Sequence, residues 1–550
     1  MTTRHVPVLV IGSGAGGGPY AWRLSSMGHE VLVLEAGPRF DPTQDYRQDQ
    51  ADWETPFPQR PGSTSPYVVA PLQALTAATQ DIRSWSRLNG PYVPGPTRAN
   101  FGYHHVRGVG GSSLHFTGEA HRMHPDSMAM QRRFGVAADW PMSYQDLDPY
   151  WTEAESIVGV AGPEVDPYRP RGAAYPLPSH PFSFASKALE AGARKIGLTP
   201  IPNALAVLSR PYDDRPDCNY CGGCLRGCQR QDKGSIDITY LRRAEATGRC
   251  QIISGAEVLR IDVGNDRVTG ALVSIAGKMS TITADVVVLA AGAVQSPRIL
   301  LNSACPDAPD GLANESGQVG RNLMETLLTT TTGLHPERLG SHRGLPVDWV
   351  AWDYNAPDSV PGFVGGCRFG PAMAESDLVG PVAYATRVVG GWGAEHHSKM
   401  RAQFGRVLSV AGIGESLPNS GTYVDLAEET DAHGLPVARI HSFLDDMAIK
   451  RLRFMTETCR KITVAAGCTE LIEEFTSVDA FSSTHVFGTC RMGTDPQDSV
   501  VDAFGRSHRW RNLIIADASI FPSSGGGESP GLTIQALALR SADQLIRDGL

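Results

Sequence analysis

Apolar and polar positions along the chain sort into two kinds of run. Most apolar stretches are short and broken by polar, glycine or proline residues, but residues 6–11, 31–34 and the start of 286–303 (VVVLAAGAVQSPRILLNS) are apolar without a break. Uninterrupted aliphatic and β-branched residues suit strands buried on both faces, as in a parallel sheet. The first 37 residues therefore predict a strand, a glycine loop, a helix and a second strand that stops on an acid. The run from 286 leads through a Gly-Ala turn into a helix that Ser296 and Pro297 are expected to cap. Residues 325–484 alternate strand-like pieces such as GTYVDLAEE with a charged helix over about 445–466, and TIQALALRSADQLI near the C-terminus reads as a final helix. Residues 38–100, dense in proline and aromatic residues, read as a long excursion without regular elements.

The glycines after the first strand add chemistry to this pattern. Gly12, Gly14 and Gly17 stand at G-x-G-x-x-G spacing. The first permits a tight turn, the second lets backbone approach a pyrophosphate, and the third lets the helix lie close to the strand. The helix N-terminus then offers free N–H groups and a positive dipole end to the phosphates. Glu35 closes the second strand about twenty residues on, where a carboxylate accepts hydrogen bonds from a ribose hydroxyl. This motif alone leaves FAD and NAD open.

Composition narrows the class. A chain of 550 residues exceeds what one core holds and suggests two intertwined domains. Its 41% hydrophobic and 19% charged residues are ordinary for a globular protein. A net charge of −9 with no basic run gives no basis for nucleic-acid binding. No apolar run approaches the roughly 18 residues of a membrane-spanning helix. The first strand starts too early for a signal peptide, so the expectation is a cytoplasmic protein exported only with a partner. In a reducing compartment, the ten cysteines are expected as thiols or a metal centre rather than as disulfides.

Four further segments carry a resemblance. They are RGVGGSSLHF at 107–116, the 286–303 stretch, HVFGTCRMG at 485–493, and NLIIADASIFPSSGGGESPGLTIQALALRSA at 512–542. With the N-terminal motif, they make the chain similar, over nearly its full length, to the glucose–methanol–choline (GMC) oxidoreductases. The resemblance implies an α/β fold, α+β overall, with a Rossmann-like FAD-binding domain and a discontinuous antiparallel-sheet substrate-binding domain. The expected FAD domain comprises residues 1–60, 100–135, 215–325 and 485–550. Residues 61–99, 136–214 and 326–484 are expected to form the substrate domain and covering segments.

By the same resemblance, Gly12, Gly14, Gly17 and Glu35 hold the ADP half of FAD. Gly110, Gly111 and Ser112 lie along the pyrophosphate or flavin, Val258 meets the adenine through its backbone, and Asp517 stands near the pyrophosphate and ribityl chain. A helix N-cap is the other reading of Asp517. His115, in GGSSLHF, matches a histidine that some members bond covalently to the flavin and others do not. His485 is implied as the base that takes the substrate hydroxyl proton as hydride leaves for flavin N5, a role suited to imidazole because it titrates near neutrality.

The family usually has a second His or Asn before a proline near the C-terminus. Here the aligned residue is Ser529, preceded by Glu528. Ser529 is placed to hydrogen-bond the substrate oxygen and Glu528 to orient an amine or hydroxyl, with helix capping by Ser529-Pro530 as the other reading. The implied reaction is oxidation of a CH–OH group of a sugar, glycoside or related alcohol to a carbonyl, with electrons passing to oxygen or an electron-acceptor protein. The alternatives are oxidation of simple non-sugar alcohols and a redox-silent lyase that keeps FAD without cycling it.

Cys218, Cys221, Cys224 and Cys228 stand at C-x2-C-x2-C-x3-C. That spacing suits iron–sulfur ligation, although Gln229 replaces the usual proline and a second ligand motif is lacking. Zinc bound by thiolates, or a cysteine-rich hinge without metal, are the other readings.

Overall fold

The computed structural model describes residues 3–47, 68–70, 72–100, 105–373, 378, 380–481 and 483–550. Strand Thr3–Ile11 lies inside a seven-stranded sheet, parallel to Val31–Glu35 on one side and to Lys278–Leu289 on the other. Helix Gly17–Ser26 makes the crossover that a parallel pair requires. Val8 and Val10 pack with Tyr20, Leu24 and Ala538, whereas Leu9 and Ile11 belong to a second, larger apolar cluster. The two-residue period thus feeds two cores, which is why every position in this run is apolar.

Cys250–Ser254 adds in parallel outside Val31–Glu35, and Leu513–Ile515 pairs in parallel with the end of Lys278–Leu289. Arg267–Ile275 and Ala256–Gly264 complete the other side in antiparallel order, leaving Ala256–Gly264 at the edge. The strands of this Rossmann-like sheet therefore come from three distant parts of the chain.

The second sheet has six antiparallel strands in the order Cys367–Pro371, Val407–Gly414, Leu327–Leu334, Glu470–Thr476, Trp85–Ser86 and Gly90–Pro91. Helix Asp446–Ala465 packs Leu452, Met455, Cys459 and Ile462 against Leu327, Phe369, Leu408 and Val410. Asp445 caps this helix by accepting from the Ala448 amide at 2.8 Å. Among the described residues, no helix is long and apolar enough to cross a membrane.

Three local expectations are corrected. The helix after Lys278–Leu289 runs Gly292–Asn302, so Ser296 and Pro297 lie inside it rather than at its cap. The final helix, Gly531–Arg547, has Pro530 at its N-cap and no side-chain cap, and the Ser529 hydroxyl before it donates to Glu119. Within the described part of 38–100, Trp85–Ser86 and Gly90–Pro91 form two short strands of the second sheet, joined by a turn.

Candidate active site

The glycines after the first strand are fixed by close contacts. Gly12 has φ +94°, and a Cβ there would lie 2.4 Å from the Ala290 carbonyl oxygen; a Cβ on Gly17 would lie 1.9 Å from that of Gly12. Gly110 and Gly111 follow one another at φ +109° and +58°, and a Cβ on Gly111 would stand 2.8 Å from the Gly14 Cα. Two glycine loops distant in sequence thus meet backbone to backbone, a cradle that any side chain would fill.

Glu35, which is buried, ties the cradle together. Its carboxylate accepts from the Ser13 hydroxyl at 2.6 Å, the Ser13 amide at 3.2 Å and the Gly37 amide at 2.9 Å, while the Gly110 amide donates to Ser13 Oγ at 3.1 Å. Burial raises its pKa against those hydrogen bonds. A carboxylate has about four acceptor positions, so these three donors leave room for a ribose hydroxyl. Val258 lies in the edge strand just before a register shift, so one edge of its backbone is unpaired by the sheet. These features fit FAD, and Gly12, Gly14, Gly17, Glu35, Gly110, Gly111 and the Val258 backbone would be the residues to hold it.

Asp517 caps the short 3-10 helix Ala518–Ile520 by accepting from the Ser519 amide at 2.8 Å. It also accepts from the Gly292 amide at 2.9 Å and the Ser296 hydroxyl at 2.5 Å. The cap reading of Asp517 is therefore realised, and the residue joins two cofactor-side segments as well. Ser112 accepts from the Val106 amide at 3.3 Å, and half-buried His115 ends the 3-10 helix Gly111–Leu114.

His485 precedes strand Val486–Phe487, which pairs with Met324–Glu325. Its carbonyl accepts from the Thr326 amide at 3.1 Å and the Ser483 hydroxyl at 2.6 Å, which fixes its backbone. The ring is half-buried, and burial lowers its pKa to about 4, with Glu119 opposing and Arg368 reinforcing the shift. The imidazole is neutral near pH 7 and able to take a proton.

Those two charges belong to a buried network that the sequence reading missed. Glu119 accepts from Arg368 Nη2 at 2.7 Å, Ser529 Oγ at 2.9 Å and Asn203 Nδ2 at 3.0 Å. Burial opposes its ionisation, yet Arg368, His121 and these donors bring its pKa down to about 2. His121 bonds Asn203 Oδ1 through Nε2 at 2.8 Å, accepts from the Ser529 amide through Nδ1 at 3.1 Å, and meets the Trp352 ring edge-on at 4.9 Å. Burial lowers its pKa to about 3. One sequence signal was present: Glu119 and His121 alternate in TGEAHRMHP, so an extended backbone puts both on one face.

Glu528 faces other partners. Its Oε1 accepts from Arg169 Nη2 at 2.8 Å and the His124 amide at 3.0 Å. The Arg169 guanidinium stacks over Trp352 at 4.4 Å, on which Arg368 also bears at 5.8 Å. The structure thus brings Ser529 into the network of Glu119 and His121, from which Glu119 and Arg368 act on His485 through their charges, whereas Glu528 is held in a buried ion pair with Arg169.

The metal expectation for Cys218, Cys221, Cys224 and Cys228 is not met by the geometry. Among the described residues, no three His, Cys, Asp or Glu side chains stand together as a ligand group. Cys221 is exposed, and the Cys228 thiol donates to Asp232 at 3.2 Å. Burial pushes Cys224 up to about 12 and Cys228 up to about 11, and it raises Cys218 further. Buried Lys233 donates to the carbonyls of Cys224, Leu114 and Phe116 at 2.6, 2.9 and 3.0 Å, tying this segment to the one that carries His115.

A glycine cradle on a parallel sheet, served by a neutral imidazole outside it, is the equipment of a flavin-dependent oxidoreductase acting on alcohol or sugar groups. The chain belongs to the GMC oxidoreductase family, whose N-terminal model matches residues 105–327 and whose C-terminal model matches residues 418–538. It is 30% identical to 6'''-hydroxyparomomycin C oxidase of Streptomyces lividus over 97% of this chain and 90% of that protein. It is 29% identical to 2-methyl-1,2-propanediol dehydrogenase of Mycolicibacterium austroafricanum over 100% of this chain and 96% of that one. The crystal structure of pyridoxine 4-oxidase from Mesorbium loti has the same fold, with a TM-score of 0.64 at 19% identity, covering 98% of this chain and 99% of that chain.

Proposed function

We propose that this protein oxidises a CH–OH carbon of a sugar, glycoside or related polyol to a carbonyl, with His485 as the base. The observation that carries this reading is the neutral, half-buried imidazole of His485 under the joint influence of Glu119 and Arg368. When bound, FAD supplies the acceptor for the hydride. His485 takes the hydroxyl proton, and its braced backbone keeps the ring in place while it does so. Glu119, paired with Arg368, holds the Ser529 hydroxyl. Electrons leave to oxygen or an external acceptor. The two relatives, named for oxidation of 6'''-hydroxyparomomycin C and of 2-methyl-1,2-propanediol, support a substrate rich in hydroxyl groups.

The test is the anaerobic visible spectrum of the flavin-loaded protein before and after addition of sugars, glycosides, diols and simple alcohols. Bleaching of the flavin bands by a hydroxyl-rich compound is expected. A spectrum unchanged by the whole panel would overturn this reading in favour of the redox-silent alternative.

A further inference from the structure

Ser529 stands where the family usually has His or Asn, and its donors are all in use. Its hydroxyl donates to Glu119 Oε2 at 2.9 Å and its amide donates to His121 Nδ1 at 3.1 Å. Pro530, which follows, has no N–H. Just upstream, the Gly527 carbonyl is taken by Arg368 Nε at 2.7 Å. What remains on Ser529 is the pair of acceptor positions on Oγ.

Glu119 enforces that state. It is buried, with Arg368 and Asn203 holding its carboxylate at 2.7 and 3.0 Å, and it stays charged throughout the neutral range. A hydrogen bond to a carboxylate is about twice as strong as one between neutral groups, so the Ser529 hydrogen stays on Glu119 rather than turning to a neutral ligand. His121 holds the Ser529 amide in the same way, its ring pinned by Asn203 and seated on Trp352.

We propose that Glu119 is a positioning residue that turns Ser529 into an acceptor, so that the site selects substrates bearing a second hydroxyl, a hydrogen-bond donor, within reach of the one being oxidised. This inference rests on the functional reading above and names the substrate class within it. An Asn or His at position 529 would bring a donor of its own. The Ser529–Glu119 pair brings none, and it leaves an acceptor unmet unless the substrate supplies the hydrogen. A monoalcohol uses its only hydroxyl at His485, whereas a vicinal diol serves both residues.

The experiment compares kcat/KM of the flavin-loaded enzyme for propane-1,2-diol and methyl α-D-glucopyranoside with that for 2-propanol and 1-propanol. Wild type is expected to prefer the polyols by about tenfold or more, the discrimination given by one unmet buried polar group. Ser529→Ala is expected to bring the ratio to near unity. Glu119→Gln is expected to do the same, because the amide can donate to Ser529 Oγ and release its hydrogen, and Glu119→Asp is expected to restore part of the preference. Loss of the Glu119 charge also moves the acid limb of the pH profile to lower pH, a change that a purely structural defect would not produce. If Glu119→Gln fails to fold, Ser529→Asn keeps the question open to test, since its donor amide should raise relative activity on the monoalcohols. Equal rates for polyols and monoalcohols in wild type, or an unchanged ratio in flavin-replete Ser529→Ala, would overturn the inference. Wild type that oxidises none of the probes would instead overturn the functional reading beneath it.

Discussion

The Thr489 hydroxyl donates to the carbonyl of Ala293 at 2.6 Å. Pro297 gives the bond its purpose: four residues along helix Gly292–Asn302, it has no N–H for that carbonyl. The segment that carries His485 thereby completes the helix that follows the central strand. Thr489→Val is expected to lower stability by about 1–3 kcal/mol, because a buried acceptor loses its donor. Chemical denaturation of the flavin-loaded enzyme measures it, and an unchanged midpoint would show that the carbonyl finds another partner.

His485→Asn is expected to lower kcat by about 10²- to 10⁴-fold while flavin content stays intact. Burial lowers the His485 pKa to about 4, Arg368 adds to the shift and Glu119 opposes it. The ring works in its neutral form, so kcat/KM should hold level from neutrality downward and fall only as the pH nears 4. An acid limb near the ordinary histidine value would contradict this account.

Arg169 donates to Glu528 at 2.8 Å, and both are buried. Arg169→Met would leave a buried carboxylate without its cation and is expected to destabilise the protein by about 3–5 kcal/mol. Adding Glu528→Gln should recover part of that loss. A double-mutant cycle by thermal unfolding would expose strictly additive effects, which would mean the pair is uncoupled.

Glu415 carries a pH signature. Burial and the charge of Glu528 raise its pKa from 4.5 to about 7 against the pull of Arg451, and both carboxylates have one oxygen buried without a partner, Oε1 in Glu415 and Oε2 in Glu528. The folded state therefore binds the Glu415 proton more tightly than the unfolded chain does. Its contribution is full below pH 4.5 and is lost as pH rises through 7. Glu415→Gln is expected to flatten the fall in melting temperature across that window. The same slope in wild type and variant would assign the pH dependence to other groups.

Much of the cofactor side was legible because its signals are local. An apolar run read at every position and three glycines at fixed spacing need no knowledge of distant contacts, and the strands and the Gly12–Glu35 relation follow from them. The substrate side was not. Glu119, Asn203, Arg368 and Ser529 come from segments far apart in sequence, and Arg368 lies in a five-residue strand buried at every position, where a charge gives no hint of its partner. Ser296, read as a cap, lies inside the helix that starts at Gly292 and gives its hydroxyl to Asp517, and of the two readings of Ser529 the capping one is not realised because its hydroxyl goes to Glu119. Cysteine spacing announced a ligand pattern, yet Asp232, exposure and burial divide those sulfurs among different surroundings.

The three-way hold on Glu119 also bears on how this enzyme can be altered by exchanging parts. The C-terminal piece with Ser529 is complementary to the piece with Glu119 and His121, to Asn203, and to the strand with Arg368. A chimera that exchanges only the C-terminal piece, with a residue other than serine at position 529, would leave Glu119 without one of its donors. Exchanges in this scaffold therefore keep the network intact only when those segments move together.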